Sequence, residues 1–228
     1  MKISAISDLH GNLPEIKECD ILLIAGDISP LHIQKQWGLM LDWMNDEFYP
    51  WVKSIPCKKV VFVAGNHDFY IKQEGYGNIV RDIIEFGLQD KLIYLENNSV
   101  FIDGLVIYGT PQCEGPRGWP FCEGLAHDYY DQICKCDILL THQPPRYEKI
   151  GCSFPYQYRE RDFGSDYLYN VIIDRKIPTV VCGHIHSGIH NGINVYIGEN
   201  IVSTFYNVSL LDEDYNMTYE VTTFEINK

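Results

Sequence analysis

Five short apolar runs, at residues 3–7, 21–25, 60–64, 138–141 and 179–182, each break off into a polar cluster. They are rich in Ile, Val and Leu and show no apolar–polar alternation. A strand with one wet face alternates, whereas a strand covered on both faces does not. The chain must therefore build sheet that is buried on both sides, which requires layers above and below it. Helical spacing lies between the runs. Trp37, Met40, Leu41, Met44, Phe48, Trp51 and Val52 recur at three- and four-residue steps, predicting a helix over 34–54. Residues 78–86 and 165–176 read the same way, the latter with Ser165 as N-cap. A hairpin is expected over 92–108, turning at Asp103-Gly104. Beyond His186, residues 194–198, 201–209 and 217–225 read as consecutive strands. No Ser- or Gly-rich linker interrupts the chain. The expected architecture is α/β: two sheets packed together and flanked by helices, in one domain over residues 1–228.

Charge narrows the partners. With 18 Lys and Arg against 31 Asp and Glu, the net charge is −13. A surface this acidic repels phosphate backbones, so long nucleic acid is not expected to bind. A single phosphate remains acceptable where bound cations reverse the local sign. No run of apolar residues is long enough for a membrane span, and no secretory leader is read at the N-terminus. The expected location is the cytoplasm. The eight cysteines contain no CxxC pair and are expected to be reduced, most of them buried.

The chemistry sits where the strands end. The five ends carry Asp8-Leu9-His10, Gly26-Asp27, Gly65-Asn66-His67-Asp68, Thr141-His142 and Gly183-His184-Ile185-His186. Ligands bind beyond the carboxyl ends of strands in open α/β sheets. The i,i+2 spacing of Asp8/His10 and His184/His186 points both side chains of each pair the same way. Two Asp, one Asn and four His mix hard oxygen with borderline nitrogen. That mix suits Mn, Fe, Zn, Co or Ni and lacks the thiolates of a structural zinc site. Seven ligands exceed the need of one ion, so two divalent ions are expected, with Asp27 placed to bridge them.

In their order and spacing, these motifs resemble the calcineurin-like metallophosphoesterases, and most closely the small metallophosphoesterase-domain branch. The resemblance implies two β-sheets between helices and two metal sites. One site would take Asp8, His10, His186 and Asp27. The other would take Asp27, Asn66, His142 and His184. It also implies catalytic roles for His67, beside the scissile phosphate, and for Asp68, orienting His67. The implied reaction is hydrolysis of a small phosphate ester, nucleotide-like by expectation, by a hydroxide shared between the ions. Phosphomonoesters and short oligonucleotides are alternative substrates, and a metal-binding interaction scaffold is the alternative class.

Two long stretches, 110–124 and 143–164, are expected to wall the crevice. Their Arg117, Arg146, Arg159 and Arg161 are candidates for holding a second phosphate or a base edge. Trp119, Phe121, Phe154, Tyr156 and Tyr158 are candidates for stacking. The other reading gives these arginines to nearby acids and these aromatics to loop packing. Asn12 stands as a substrate contact or a turn residue, and Asn207 as a support for the site or a plain turn.

Overall fold

The computed structural model describes residues 1–122, 126–153 and 161–227. The strands are β1 (Lys2–Ile6), β2 (Cys19–Ala25), β3 (Cys57–Val63), β4 (Leu92–Tyr94), β5 (Asn98–Ile102), β6 (Leu105–Thr110), β7 (Ile138–Thr141), β8 (Cys152–Ser153), β9 (Arg161–Asp162), β10 (Thr179–Cys182), β11 (Ile193–Ile197), β12 (Asn200–Asn207) and β13 (Thr222–Glu225). The first sheet has the order β13-β1-β2-β3-β4 and the second β11-β12-β10-β7-β6-β5, while β8 and β9 pair separately. The inner strands of each sheet run parallel. Antiparallel partners close the edges at β13, β11 and β5.

The non-alternating runs now have a cause. In β2, Ile21, Leu23 and Ala25 enter a core between the two sheets. Leu22 and Ile24 enter a second core under the helices α1 (Trp37–Trp43), α2 (Tyr49–Ser54), α3 (Phe69–Glu74) and α4 (Tyr76–Glu85). In β7, Ile138 and Leu140 face the shared core. Leu139 faces the third, under α5 (Ala126–Tyr130) and α6 (Asp166–Arg175), beside Leu168 and Ile172. Both faces of each central strand are therefore apolar, and the layers run helix, sheet, sheet, helix. Each fully buried Leu or Ile contributes about 1.5–3 kcal/mol, so the shared core fixes how the sheets sit.

Ser165 caps α6 as expected, its hydroxyl accepting from the Leu168 amide at 3.1 Å. Three expected elements differ. The helix expected over 34–54 begins at Trp37, because the residues before it form turns, the Ile33 amide donating to Pro30 O at 3.2 Å and the Gln36 amide to Ile33 O at 2.7 Å. It carries a π-helical turn at Met44–Phe48. Pro50 follows, with no N–H to give and a ring that crowds the carbonyl four residues back. The hairpin is β5–β6 alone, turning at Asp103-Gly104, where both residues have positive φ (47° and 90°). Residues 92–94 instead join β3 in the other sheet. The last expected strand shortens to β13, because Asp212 folds residues 212–218 into a tight loop. Its carboxylate accepts from the Asp214 and Asn216 amides, both at 2.9 Å. All eight cysteines are free thiols. Among the described residues no helix is long and apolar enough to cross a membrane.

Candidate metal centre

The carboxyl ends of β1, β2, β3, β7 and β10 meet at one edge of the two-sheet stack. The Asp8 amide donates to Gly26 O and the His10 amide to Asp27 O, both at 3.0 Å, tying the first two ends together. The Gly183 amide donates to His142 O at 3.1 Å in the other sheet. The His184 amide crosses between sheets to the Asp8 carboxylate, at 3.0 and 3.1 Å. Asp8, His10, Asp27 and His184 all adopt left-handed backbone, with φ of 55°, 43°, 53° and 71°. Each such residue costs about 1–2 kcal/mol and persists only where its surroundings hold it. Here the strain turns four side chains toward one point. A Cβ on Gly65 would lie 2.7 Å from the Asp27 amide nitrogen, and one on Gly183 would lie 2.5 Å from the Asp8 carboxylate. Both glycines are there for space.

All seven expected ligands gather. Ligand atoms of Asp8, His10 and His186 lie mutually within 4.8 Å, as do those of Asp8, Asp27 and His142. His142 Nε2 is 3.3 Å from Asp27 Oδ2 and 3.0 Å from Asn66 Oδ1. His10 Nε2 is 3.7 Å from Asp27, and His186 Nε2 is 3.5 Å from Asp8. The His184 ring lies 5.0 Å from that of His142, tilted by 58°. Backbone carbonyls set two imidazoles. His142 Nδ1 donates to Ala25 O at 2.7 Å and His186 Nδ1 to Asp212 O at 2.8 Å, which turns each Nε2 inward. Both nitrogens of His10 are buried without a hydrogen-bond partner. An orphaned buried imidazole is costly in a protein and is what a metal ligand looks like before its metal is added.

The electrostatics agree. Burial would raise the Asp8 and Asp27 carboxyls, yet His186 beside the first and His142 beside the second hold both well below the usual carboxylate range. Burial also opposes charge on His142 and His186, but Asp27 and Asp8 outweigh it and lift them to about 10 and about 9. Burial pushes His10 and His184 down to about 4. Two buried carboxylates thus draw protons onto two of the four imidazoles. A cation that displaced those protons would satisfy the same anions and also the idle His10, so the donor set fits divalent metal.

His67 stands at the mouth, half-buried, outside both three-residue groups. Its Nδ1 pairs with Gln34 Oε1 at 2.8 Å, which leaves Nε2 free. Burial lowers its pKa. The expectation that Asp68 orients His67 is corrected. Asp68 is fully buried and accepts from the Ser29 hydroxyl (2.7 Å), the Ser29 amide (3.0 Å) and the Gly65 amide (2.7 Å). It braces the two turns that carry Asp27 and Asn66. Burial, then repulsion from Asp27, raises it to about 7.

The expected substrate contacts fare differently. Asn12 closes a turn, its side chain donating to Leu9 O at 2.8 Å. Arg146 takes the second of its two readings, bonded to Asp162 and Asp166 at the start of α6. Arg117 and Arg161 are exposed and do not line the metal pocket. Arg159, Phe154, Tyr156 and Tyr158 lie outside the described residues. Trp119 does approach, its ring 4.8 Å from His67, whereas Phe121 is buried in the core under the helices. Asn207 holds the last histidine turn, donating to Ile185 O at 2.7 Å. Several neighbours carry no motif in sequence. Ser209 donates to Asp8 at 2.5 Å. Tyr215 packs edge-on against His10 and His186, at 5.1 and 5.3 Å. The Cys113 sulfur lies within 4.8 Å of ligand atoms of His142 and His184.

The profile of the calcineurin-like phosphoesterases matches residues 1–188. Human metallophosphoesterase domain-containing protein 1 is 26% identical over an alignment of 227 residues, covering 88% of this chain and 66% of that protein. The chain thus spans just under two thirds of that relative's length. A UPF0046 protein of Caenorhabditis elegans is also 26% identical, with 96% of this chain and 76% of the relative aligned. Among solved structures, phosphopantetheinyl hydrolase from Mycobacterium tuberculosis superposes with a TM-score of 0.58 at 15% identity, over 94% of this chain and 90% of that one. That likeness concerns the fold.

Proposed function

The chain belongs to the calcineurin-like phosphoesterase family, and from that premise we propose that it hydrolyses a small phosphate ester at the strand-end cluster, using two divalent metal ions. The observation that carries the proposal is the set of two buried carboxylates and four imidazoles, one of them the buried and unpartnered His10. Asp8, His10, His186 and Asp27 would hold one ion, and Asp27, Asn66, His142 and His184 the other. When bound, such ions supply an acidified water and positive charge beside the phosphate oxygens.

The chain's own residues do the rest. Ser209 and the His184 amide hold Asp8, while the His67 amide holds Asp27 at 2.8 Å, so both carboxylates keep their aim. Gln34 fixes the His67 ring and leaves Nε2 to carry a proton to the leaving oxygen. Tyr215 and Trp119 flank the opening and limit access. The pocket at the cluster measures about 100 Å³, room for one phosphoryl group and not for a duplex. The net charge of −13 works in the same direction, against polyanionic partners.

The test is reconstitution. Chelated protein reloaded with Mn²⁺ should hydrolyse bis-p-nitrophenyl phosphate or p-nitrophenyl phosphate, and the comparison of the two separates diesterase from monoesterase. His67→Ala should retain its ions and lose about 10²–10⁴-fold in turnover, with a smaller loss for better leaving groups. Protein that carries both ions and turns over no small ester would favour the scaffold instead.

A further inference from the structure

We propose that the pocket adjoining His67 on its Trp119 side is the leaving-group subsite, and that it selects a leaving group bearing a second negative charge on or beside a flat ring. The assignment rests on the reading that His67 faces the leaving oxygen. The pocket has a volume of about 350 Å³ and is lined by Gln34, Lys35, Trp37, Phe69, Lys72 and Pro120, among others. It begins where His67 ends. Gln34 belongs to both, bonded to the imidazole at 2.8 Å. The Trp119 ring lies 4.8 Å from His67 and 5.5 Å from Phe69, linking the imidazole to the pocket wall.

Charge gives the pocket its preference. Lys35 Nζ sits 4.8 Å from the Phe69 ring centre and 5.2 Å from that of Trp119, and Lys72 Nζ sits 5.0 Å from Phe121. Among the described residues neither ammonium is in an ion pair, in a chain where acids outnumber bases by 31 to 18. The nearby Glu74 is taken by the Trp37 indole (2.5 Å) and by Asn78. Ring faces hold the ammoniums at the pocket wall without neutralising them, which leaves their charge for a ligand. The other flank of the metal centre has the opposite sign. There the pocket beside His10 and Asn12 is lined by Asp42, Asp46 and Glu47. An anionic group joined to the scissile phosphate is repelled on that side and attracted on the His67 side. Trp37 is 44% exposed, and its indole is fixed by Glu74, so a flat surface stands ready for a ring.

Two chromogenic diesters test this in the Mn²⁺-loaded protein: methyl 4-nitrophenyl phosphate and methyl 3-carboxy-4-nitrophenyl phosphate. They share the retained methyl group, and their leaving groups differ in one carboxylate. The expected kcat/KM is about fivefold to tenfold higher for the carboxylated ester. Replacing both ammoniums (Lys35→Gln with Lys72→Gln) should bring the ratio to about one, and Lys35→Arg should keep it, since charge and not shape is at issue. Trp37→Leu should raise KM for both esters alike. A wild-type ratio of one or less with hydrolysis intact overturns the subsite alone, as does a preference that survives the double substitution. Turnover of neither diester and of neither matching monoester (4-nitrophenyl and 3-carboxy-4-nitrophenyl phosphate) overturns the hydrolytic reading and the subsite with it, while a monoesterase is judged by the same ratio on the two monoesters.

Discussion

The cradle that gathers the seven ligands and the rim that surrounds its mouth are built on different terms. In the cradle, Asp8, Asp27 and His142 are fully or nearly fully buried, and each is held by neighbours from a different strand end. Backbone strain at four ligands is tolerated because the surrounding bonds permit no other arrangement. In the rim, Trp119, Tyr215 and Lys35 are half-buried or exposed and are held by ring contacts. The cradle therefore has one geometry, while the rim is free to vary without disturbing it. Under the proposed function, chemistry would belong to the first region and substrate choice to the second.

The largest test of that difference is a methyl group placed in each region. Gly65→Ala puts its Cβ 2.7 Å from the Asp27 amide nitrogen and from His142 Cε1. It should destabilise the fold by about 1–3 kcal/mol and weaken metal binding by about 10²-fold. Gly118→Ala, in the rim, meets nothing within 4 Å and is strained only by its φ of +91°. It should cost about 1 kcal/mol and leave metal affinity alone. Calorimetric titration with Mn²⁺ and thermal melts read both; equal loss of metal in the two variants would break the distinction.

An intermediate effect is expected from pH in the metal-free protein. His142 and His186 are raised in the fold from 6.5 to about 10 and about 9. Their contribution is complete below 6.5 and lost as pH rises through those values. His10 and His184 are lowered to about 4, so the fold loses stability as pH falls from 6.5 toward 4. The depressed Asp8 and Asp27 add a further loss in acid. Asp68, raised to about 7, works the other way and loses its share as pH climbs from about 4 to 7, so Tm of chelated protein should pass through a broad maximum on the acid side of neutrality and fall at both ends. Metal should abolish the alkaline decline, because it takes the place of the protons. An alkaline decline that persists with metal bound would show that the cradle's histidines are not the ligands.

The smallest effect falls on Arg146. Its bonds to Asp162 and Asp166 are exposed, so Arg146→Ala should change stability by about 0.5 kcal/mol or less and leave KM unchanged. A marked rise in KM would return this residue to the substrate.

Sequence reading reaches the cradle and stops at the rim, for a physical reason. Strands covered on both faces announce themselves as unbroken apolar runs, and their ends carry ligands at spacings that a strand geometry dictates. Ile21–Ala25 followed by Gly26-Asp27 is legible from local pattern alone. The supports are not local. Ser209 reaches Asp8 across 201 residues and Gln34 reaches His67 across 33. Gln34 stood in a stretch whose spacing reads as helix, and Tyr215 lies just ahead of one that reads as strand. Asp68, next to His67 in the chain, points to Ser29 instead, because a strand-end turn sends neighbouring side chains apart. Arginine content marked the loops as anion sites, yet among the described residues the cations beside His67 that stand outside any ion pair are Lys35, just ahead of α1, and Lys72 of α3.

Asp27 is proposed to sit between two ions held by both sheets. Electron paramagnetic resonance of the protein loaded with Mn²⁺ tests it most directly. Two ions per chain are expected, with the spectrum of an exchange-coupled pair, replaced in Asp27→Asn by uncoupled or absent Mn²⁺. A single ion per chain, or two magnetically isolated ions in the unaltered protein, would contradict it.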